Sequence, residues 1–381
     1  MLSQIKTSDV IKFILILVIL ITSIAILYKP HFKKILAGYD NMECYNEVQE
    51  RNTFKKIIDY KYYSGRLTQS SYFNPIQLLV WKYLVDHYDK NPYPYHLLCV
   101  LIHIINTIIL FFLLKIFLKE KVLTFLAALS FGVSYLNFQT IGWIAAGIAW
   151  GIATFFILST LLLLIKYFQT KNKFFYLLSL LAFFLGTFTK EPVVFAIPIL
   201  LAYYLIIQRE KILKFIKTDL FILPYLILSL PITLISSSRL ESSALINIWG
   251  GFNFGVHMLY RFIEFINYLI VMVPVSFTIQ MGVAMFILLS FPFLIYYGLK
   301  DRKLLFLTIW LVLLISIYIY SNFRNISTLT SKYLYLPSTA WFALLYYPIT
   351  KINNRKYKIL TSIPLIGYTI VLNLILILVL G

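Results

Sequence analysis

The chain has 381 residues, 60% of them hydrophobic, and a mean hydropathy of +0.83. A soluble domain carries roughly 45 to 50% apolar residues, so a soluble globular protein is excluded and a polytopic membrane protein is expected. The formal charge of +19, from 34 basic and 15 acidic residues, invites a nucleic-acid partner; the cations are instead spread over the connections between apolar runs, where membrane lipids account for them and no nucleic acid is expected.

A span needs about 20 apolar residues, and the chain predicts about eleven transmembrane helices in an all-α membrane domain covering 1–381. The first, Val10 to Tyr28, is followed by Lys29, Lys33 and Lys34 without a small-residue cleavage pattern, which reads as a retained anchor. The others are predicted at 96–118, 121–138, 141–165, 174–189, 192–207, 219–237, 281–299, 304–321, 333–349 and 359–380. Basic connections at 119–121, 166–173 and 209–217 place the N-terminus in the cytoplasm of a cytoplasmic-membrane protein, with 29–95, 189–191 and 238–258 outside. The stretch 260–277 is read as re-entrant or interfacial because of Arg261 and Glu264; a true twelfth span is the alternative, and it would invert the C-terminal half.

The polar break at 29–95 holds seven of the fifteen carboxylates, at Asp40, Glu43, Glu47, Glu50, Asp59, Asp86 and Asp89. Charge is costly in lipid, so acids able to do chemistry are expected at this extracytoplasmic water boundary. The first four fall on one stripe of a short amphipathic helix, which reads either as a solvated acidic face or as a site. Asp40 is the first acid after the anchor, about a dozen residues past it, and is preceded by Gly38, which loosens the backbone there. A carboxylate held there can take a proton from an incoming hydroxyl. His96 and His103 lie seven residues apart and share a helical face, which suits packing as well as chemistry. Cys44 and Cys99 do not by themselves define a disulfide, and no metal cluster, phosphate-binding glycine loop, nucleophile elbow or tandem repeat appears in the sequence.

Four stretches resemble the GT-C superfamily of membrane glycosyltransferases, specifically the short bacterial relatives of the tetratricopeptide-bearing protein O-mannosyltransferases. Asp40-Asn41 is similar to that family's acidic pair. Tyr72 to Ile76, with Tyr95-His96 and His103, resembles its Tyr-Arg-Pro-Leu turn and following histidines. Thr189-Lys190-Glu191 with Pro198 resembles its Lys-Glu and downstream Pro, and Ser331 to Ser338 (SKYLYLPS) resembles its Arg-Tyr-Leu-Tyr-Leu-Pro-Ser. The likeness runs over roughly 35–350. It implies an outer loop at 29–95, a transmembrane module of the family's type at 96–237 and a variable module at 238–381.

The resemblance implies transfer of a sugar from a polyprenyl-phosphate-linked donor to a hydroxyl of a glycan, lipid or protein acceptor, with inversion and without a metal or other cofactor. Asp40 would be the base. Lys332, Lys190 and Arg324 would bind the donor phosphate, and Glu43, Gln139, Glu191, His96 and His103 would contact the acceptor or support the site. The sequence departs from the family at Asn41, at Cys99, where an Asn is expected, and at Gln139 and Ala149, where acids are expected. A diverged, catalytically silent membrane scaffold is therefore the alternative, and a transporter or flippase a further one.

Overall fold

The protein is described by a computed structural model covering residues 7–36, 38–59, 73–208, 221–240, 256–271, 296–319 and 332–380, with positions 282, 285, 289 and 292. Among the described residues every regular element is helical and there is no strand, the arrangement that satisfies backbone polar groups where water is absent. Four helices are long and apolar enough to cross a membrane, Phe13–Lys33, Pro92–Leu118, Ile144–Thr170 and Arg302–Ile319. A fifth is reached if Lys121–Gly132 and Tyr135–Gly142, inclined at 42°, count as one broken span. The protein is thus a membrane-embedded helical bundle.

Helix α1 (Thr7–Tyr28) turns outward a row of aliphatic side chains, among them Ile11, Ile14, Leu15 and Val18, and runs into a 3-10 turn at Lys29–Lys33. Helix α2 (Tyr39–Glu50) starts at Gly38, whose φ of +94° explains why glycine stands there. After the short α3 (Phe54–Ile58), α4 (Pro75–Tyr88) and α5 (Pro92–Leu118) both open with proline in the first turn, where its missing N–H costs nothing.

The expected span at 121–138 is interrupted. Helix α6 (Lys121–Gly132) stops, Ser134 caps a 3-10 turn at Tyr135–Asn137 by accepting from the Leu136 N–H, and α7 (Phe138–Gly142) leads into α8 (Ile144–Thr170). Helix α9 (Lys173–Thr187) follows, then a 3-10 turn at Glu191–Phe195 and α10 (Ala196–Ala202), which ends in a π turn. The later helices are α11 (Leu223–Leu240), α12 (Val256–Val271), α13 (Arg302–Ile319), α14 (Tyr335–Tyr346) and α15 (Arg355–Leu380). The predicted span at 281–299 lies mostly outside the described residues.

Apolar helices gain little from burial against one another in lipid, so close packing and interhelical hydrogen bonds carry the association. Gly147 of α8 illustrates the packing: a Cβ there would stand 2.5 Å from the Cys99 sulfur of α5 and 2.6 Å from the Thr140 carbonyl. Ser179 of α9 donates to the Thr160 carbonyl of α8 at 2.7 Å and accepts from Tyr225 of α11 at 2.8 Å, tying three helices. In α12, Arg261 and Glu264, expected at a membrane boundary, pair with each other at 2.7 Å and are buried. Cys44 and Cys99 are both free and buried.

Polar contacts sort the bundle into two ends. At one, the Lys303 ammonium donates to the Phe117 carbonyl at 2.8 Å, Lys351 pairs with Asp301 at 2.8 Å and Lys358 with Glu120 at 3.1 Å, gathering the termini of α5, α6, α13, α14 and α15. At the other, the Ile76 N–H donates to the Phe188 carbonyl at 3.2 Å and α2 lies against α4 and α8. Among the described residues, Asp40, Lys190 and Lys332 come together at this second end.

Candidate active site

Helix α8 begins at Trp143, which offers no side-chain cap, so its first N–H groups need acceptors from elsewhere. Asn41 provides one. Its side-chain oxygen accepts from the Ala145 N–H at 2.9 Å, and the residue is buried. The position where the resemblance expects a second acid thus does a cap's work across 104 residues of sequence, and it seats α2 on α8 with Asp40 at the rim.

Asp40 and Lys332 meet there. The Lys332 ammonium lies 3.7 Å from Asp40 Oδ2, with the two side chains 15% and 14% exposed. The same ammonium sits 4.1 Å above the Trp143 ring and 5.5 Å from that of Tyr333. Burial pushes the Lys332 pKa below its ordinary value of 10.5; Asp40 pulls it back up and the nearby Lys190 ammonium pushes it further down. Lys332 is therefore a cation held in a poorly solvated place by one carboxylate and one indole face, a setting in which charge acts strongly on a ligand.

Lys190 stands at the start of the Glu191–Phe195 turn, its ammonium 5.1 Å above the Trp150 ring. Trp150 and Tyr333 meet edge to face at 5.6 Å, so an aromatic layer links the two lysines. Around α2, burial raises the Cys44 thiol, with Glu47, Glu43 and Asp40 adding to the effect and Lys190 opposing it. Asp40, Glu43, Lys190 and Lys332 thus share one electrostatic neighbourhood.

Gln139 is drawn into the same place: its side-chain oxygen accepts from the Lys332 backbone N–H at 2.9 Å. A glutamate would make the same contact with charge added; glutamine fixes the backbone of Lys332 without competing for its ammonium. Glu191 is part-buried at the first position of its turn, and Ala149 is buried in α8.

Both histidines are buried and hydrogen-bonded. His96 is buried with Nε2 at 3.2 Å from the Lys34 carbonyl, fixing the chain between α1 and α2. His103 lies inside the bundle, with Nε2 2.9 Å from the Gly132 carbonyl and Nδ1 2.8 Å from the Tyr335 hydroxyl. Because a carbonyl can only accept, Nε2 carries the proton and Nδ1 accepts from Tyr335, whose oxygen in turn accepts from Asn106 at 3.1 Å. This buried network, with Asn106 also donating to the Gly151 carbonyl at 2.9 Å, ties α5 to α6, α8 and α14. Arg324 lies outside the described residues.

In the acidic stripe, Glu47 is not solvated but pairs with Arg51 at 2.8 Å, both buried, while Glu50 is exposed. Trp143, Trp150 and Tyr333 were not singled out from sequence. Trp143 precedes α8 in extended backbone and Trp150 lies on it, so no helical periodicity in the sequence marks them as partners of the lysines.

No family model matches the chain, and no curated protein matches it in sequence.

Proposed function

We propose that the protein is a glycosyltransferase that moves a sugar from a polyprenyl-phosphate-linked donor to an acceptor hydroxyl on the outer face of a cytoplasmic membrane. The observation that supports it is the convergence of a part-buried carboxylate, Asp40, with two ammonium groups, Lys332 and Lys190, at one end of a lipid-embedded bundle. A lipid-anchored anionic donor and a water-borne acceptor meet at such an end.

In this reading the acceptor oxygen attacks the sugar C1 while Asp40 takes its proton. The bond from C1 to the phosphate oxygen breaks with inversion, and polyprenyl phosphate departs with the bonding electron pair. The ammonium groups stabilise the charge that grows on the leaving oxygen. Lys332 exchanges its contact with Asp40 for the donor phosphate, which frees the carboxylate to act as base. The basic end formed by α5, α6, α13, α14 and α15 faces the cytoplasm, and the full chain makes about eleven spans. No resident metal or other cofactor is assigned, and the acceptor is a glycan, lipid or protein.

The contacts of Asn41 and Gln139 favour one second reading, a membrane scaffold that binds the lipid without turnover, since these two of the four departures from the resembled motif are engaged in structural contacts. Mass spectrometry of lipids that copurify with the protein, followed by incubation with the identified donor and a panel of acceptors, decides between them. A bound isoprenoid phosphate sugar and labelled product support the transferase; a bound lipid with no turnover supports the scaffold; no phospholipid or isoprenoid enrichment at all refutes both.

A further inference from the structure

Helices α4 and α5 are joined by a turn, Tyr88 to Asn91, closed by the Asn91 N–H donating to the Tyr88 carbonyl at 3.0 Å. Its first central residue, Asp89, has φ +46° and ψ −121°. That is the backbone of the first central position in a type II′ turn, where glycine sits freely and a residue with a Cβ is strained. For the turn alone, aspartate is a poor choice.

The side chain supplies a reason. The Asp89 carboxylate accepts a hydrogen bond from the Tyr45 hydroxyl of α2, and the same hydroxyl accepts from the Gln49 amide at 2.9 Å. The Lys90 ammonium lies 5.6 Å from the Tyr45 ring, and the Asp89 carbonyl accepts from Tyr95 at 2.7 Å, which locks the turn to α5. Helix α2 is thus fastened at two points, by Asn41 on α8 and by Tyr45 on the α4–α5 turn. The two hydrogen bonds add direction to the packing of Cys44, Tyr45 and Val48 in the core, and so help to fix the segment that bears Asp40.

We infer that Asp89 is a positioning residue: the strained turn presents its carboxylate to Tyr45 and thereby holds the helix that places Asp40 against Lys332. The catalytic side of this role rests on Asp40 being the base of the proposed reaction, whereas the mechanical side rests on geometry alone.

Cys44 reports the mechanical side. It neighbours Tyr45, is 4% exposed, and its thiol pKa is raised, so it is protected while α2 is docked. The experiment measures alkylation of Cys44 by N-ethylmaleimide in the intact membrane protein, resolved from Cys99 by peptide mass mapping, together with kcat and KM for the donor. Asp89→Gly suits the turn better yet removes the acceptor; it and Tyr45→Phe are expected to speed Cys44 labelling by about ten- to a hundredfold, the factor that loss of one charge-assisted hydrogen bond gives in an opening equilibrium. Asp89→Asn keeps an acceptor oxygen on a residue that tolerates positive φ and is expected to stay within about threefold of the parent. Cys99 remains protected throughout.

In the transfer assay Asp89→Gly lowers kcat and leaves the donor KM unchanged, and Asp89→Asn restores kcat. Parental Cys44 labelling in both Asp89→Gly and Tyr45→Phe overturns the mechanical role; faster labelling with unchanged kcat overturns the positioning role. A parent protein without any transfer removes the proposed reaction instead, and the labelling still decides whether Asp89 holds α2.

Discussion

Replacing Asp40 by Asn removes the carboxylate and keeps the shape, and the structure sets the size of two separate consequences. At 3.7 Å a unit ion pair is worth about 4 kcal/mol at an effective dielectric of about 20. Breaking a well-buried pair costs about 3–5 kcal/mol. Here the distance is at the long end, both side chains keep some solvent, and Trp143 still faces the ammonium, so about 2 kcal/mol is the expected loss of stability. A domain stable by about 5–15 kcal/mol remains almost wholly folded after that loss. Loss of a general base, by contrast, lowers transfer by about 10²–10⁴-fold, which unfolding of so small a fraction cannot mimic.

The assay follows labelled sugar from a polyprenyl-phosphate donor into an extractable acceptor, normalised to monodisperse protein, alongside thermal unfolding in the same detergent. Asp40→Glu, which keeps the charge but moves it, is expected to unfold like the parent and still transfer more slowly. Transfer by Asp40→Asn within about threefold of the parent would refute the assignment of Asp40 as base.

Lys332 has a folded-state pKa below 10.5 because of burial, so its ammonium, and with it donor binding, is lost as pH rises toward that value. Lys332→Arg moves this alkaline limb upward, because arginine stays charged. Stability runs the other way: between the folded pKa and 10.5 the unfolded chain binds more protons, so the Lys332 contribution becomes more favourable as pH rises. Opposite slopes in activity and in thermal unfolding over that window are the expected signature. Gln139→Leu strips the acceptor from the Lys332 N–H, an unpaired donor costing about 1–3 kcal/mol, and should raise the donor KM about tenfold or more, whereas Gln139→Glu keeps the acceptor for that N–H but adds a charge that competes for the ammonium, so its KM also rises while its thermal stability stays parental; initial-rate kinetics with varied donor and thermal unfolding check both.

What could be read from sequence followed the range of the interaction. The stripe at Asp40, Glu43, Glu47 and Glu50 is a local signal, and those four residues do lie on one helix, α2. The meeting of Asp40 with Lys332 joins residues from opposite ends of the chain; composition alone does not give it, and it came from the resemblance of the Ser331 to Ser338 stretch. Asn41 looked like a lost acid because the N–H it serves, on Ala145, belongs to a helix whose own cap position holds Trp143. The burial of Glu47 depends on Arg51 folding back within one helical turn, a choice that helical spacing permits without requiring. Asp89 was one acid among seven, since strain is a property of φ and ψ and leaves no mark in composition.

The interruption between α6 and α7 has a mechanical meaning. Tyr28, the last residue of α1, donates to the Ser134 carbonyl at 3.0 Å, and the His31 ring presses against Gly142, where a Cβ would stand 2.6 Å from its Cε1. Between those two touch points lies Gln139, which grips residue 332. Helix α1 and the backbone of Lys332 thus both contact the interrupted segment between α6 and α8. The stretch that holds the Lys332 backbone is therefore also the one on which the end of α1 rests.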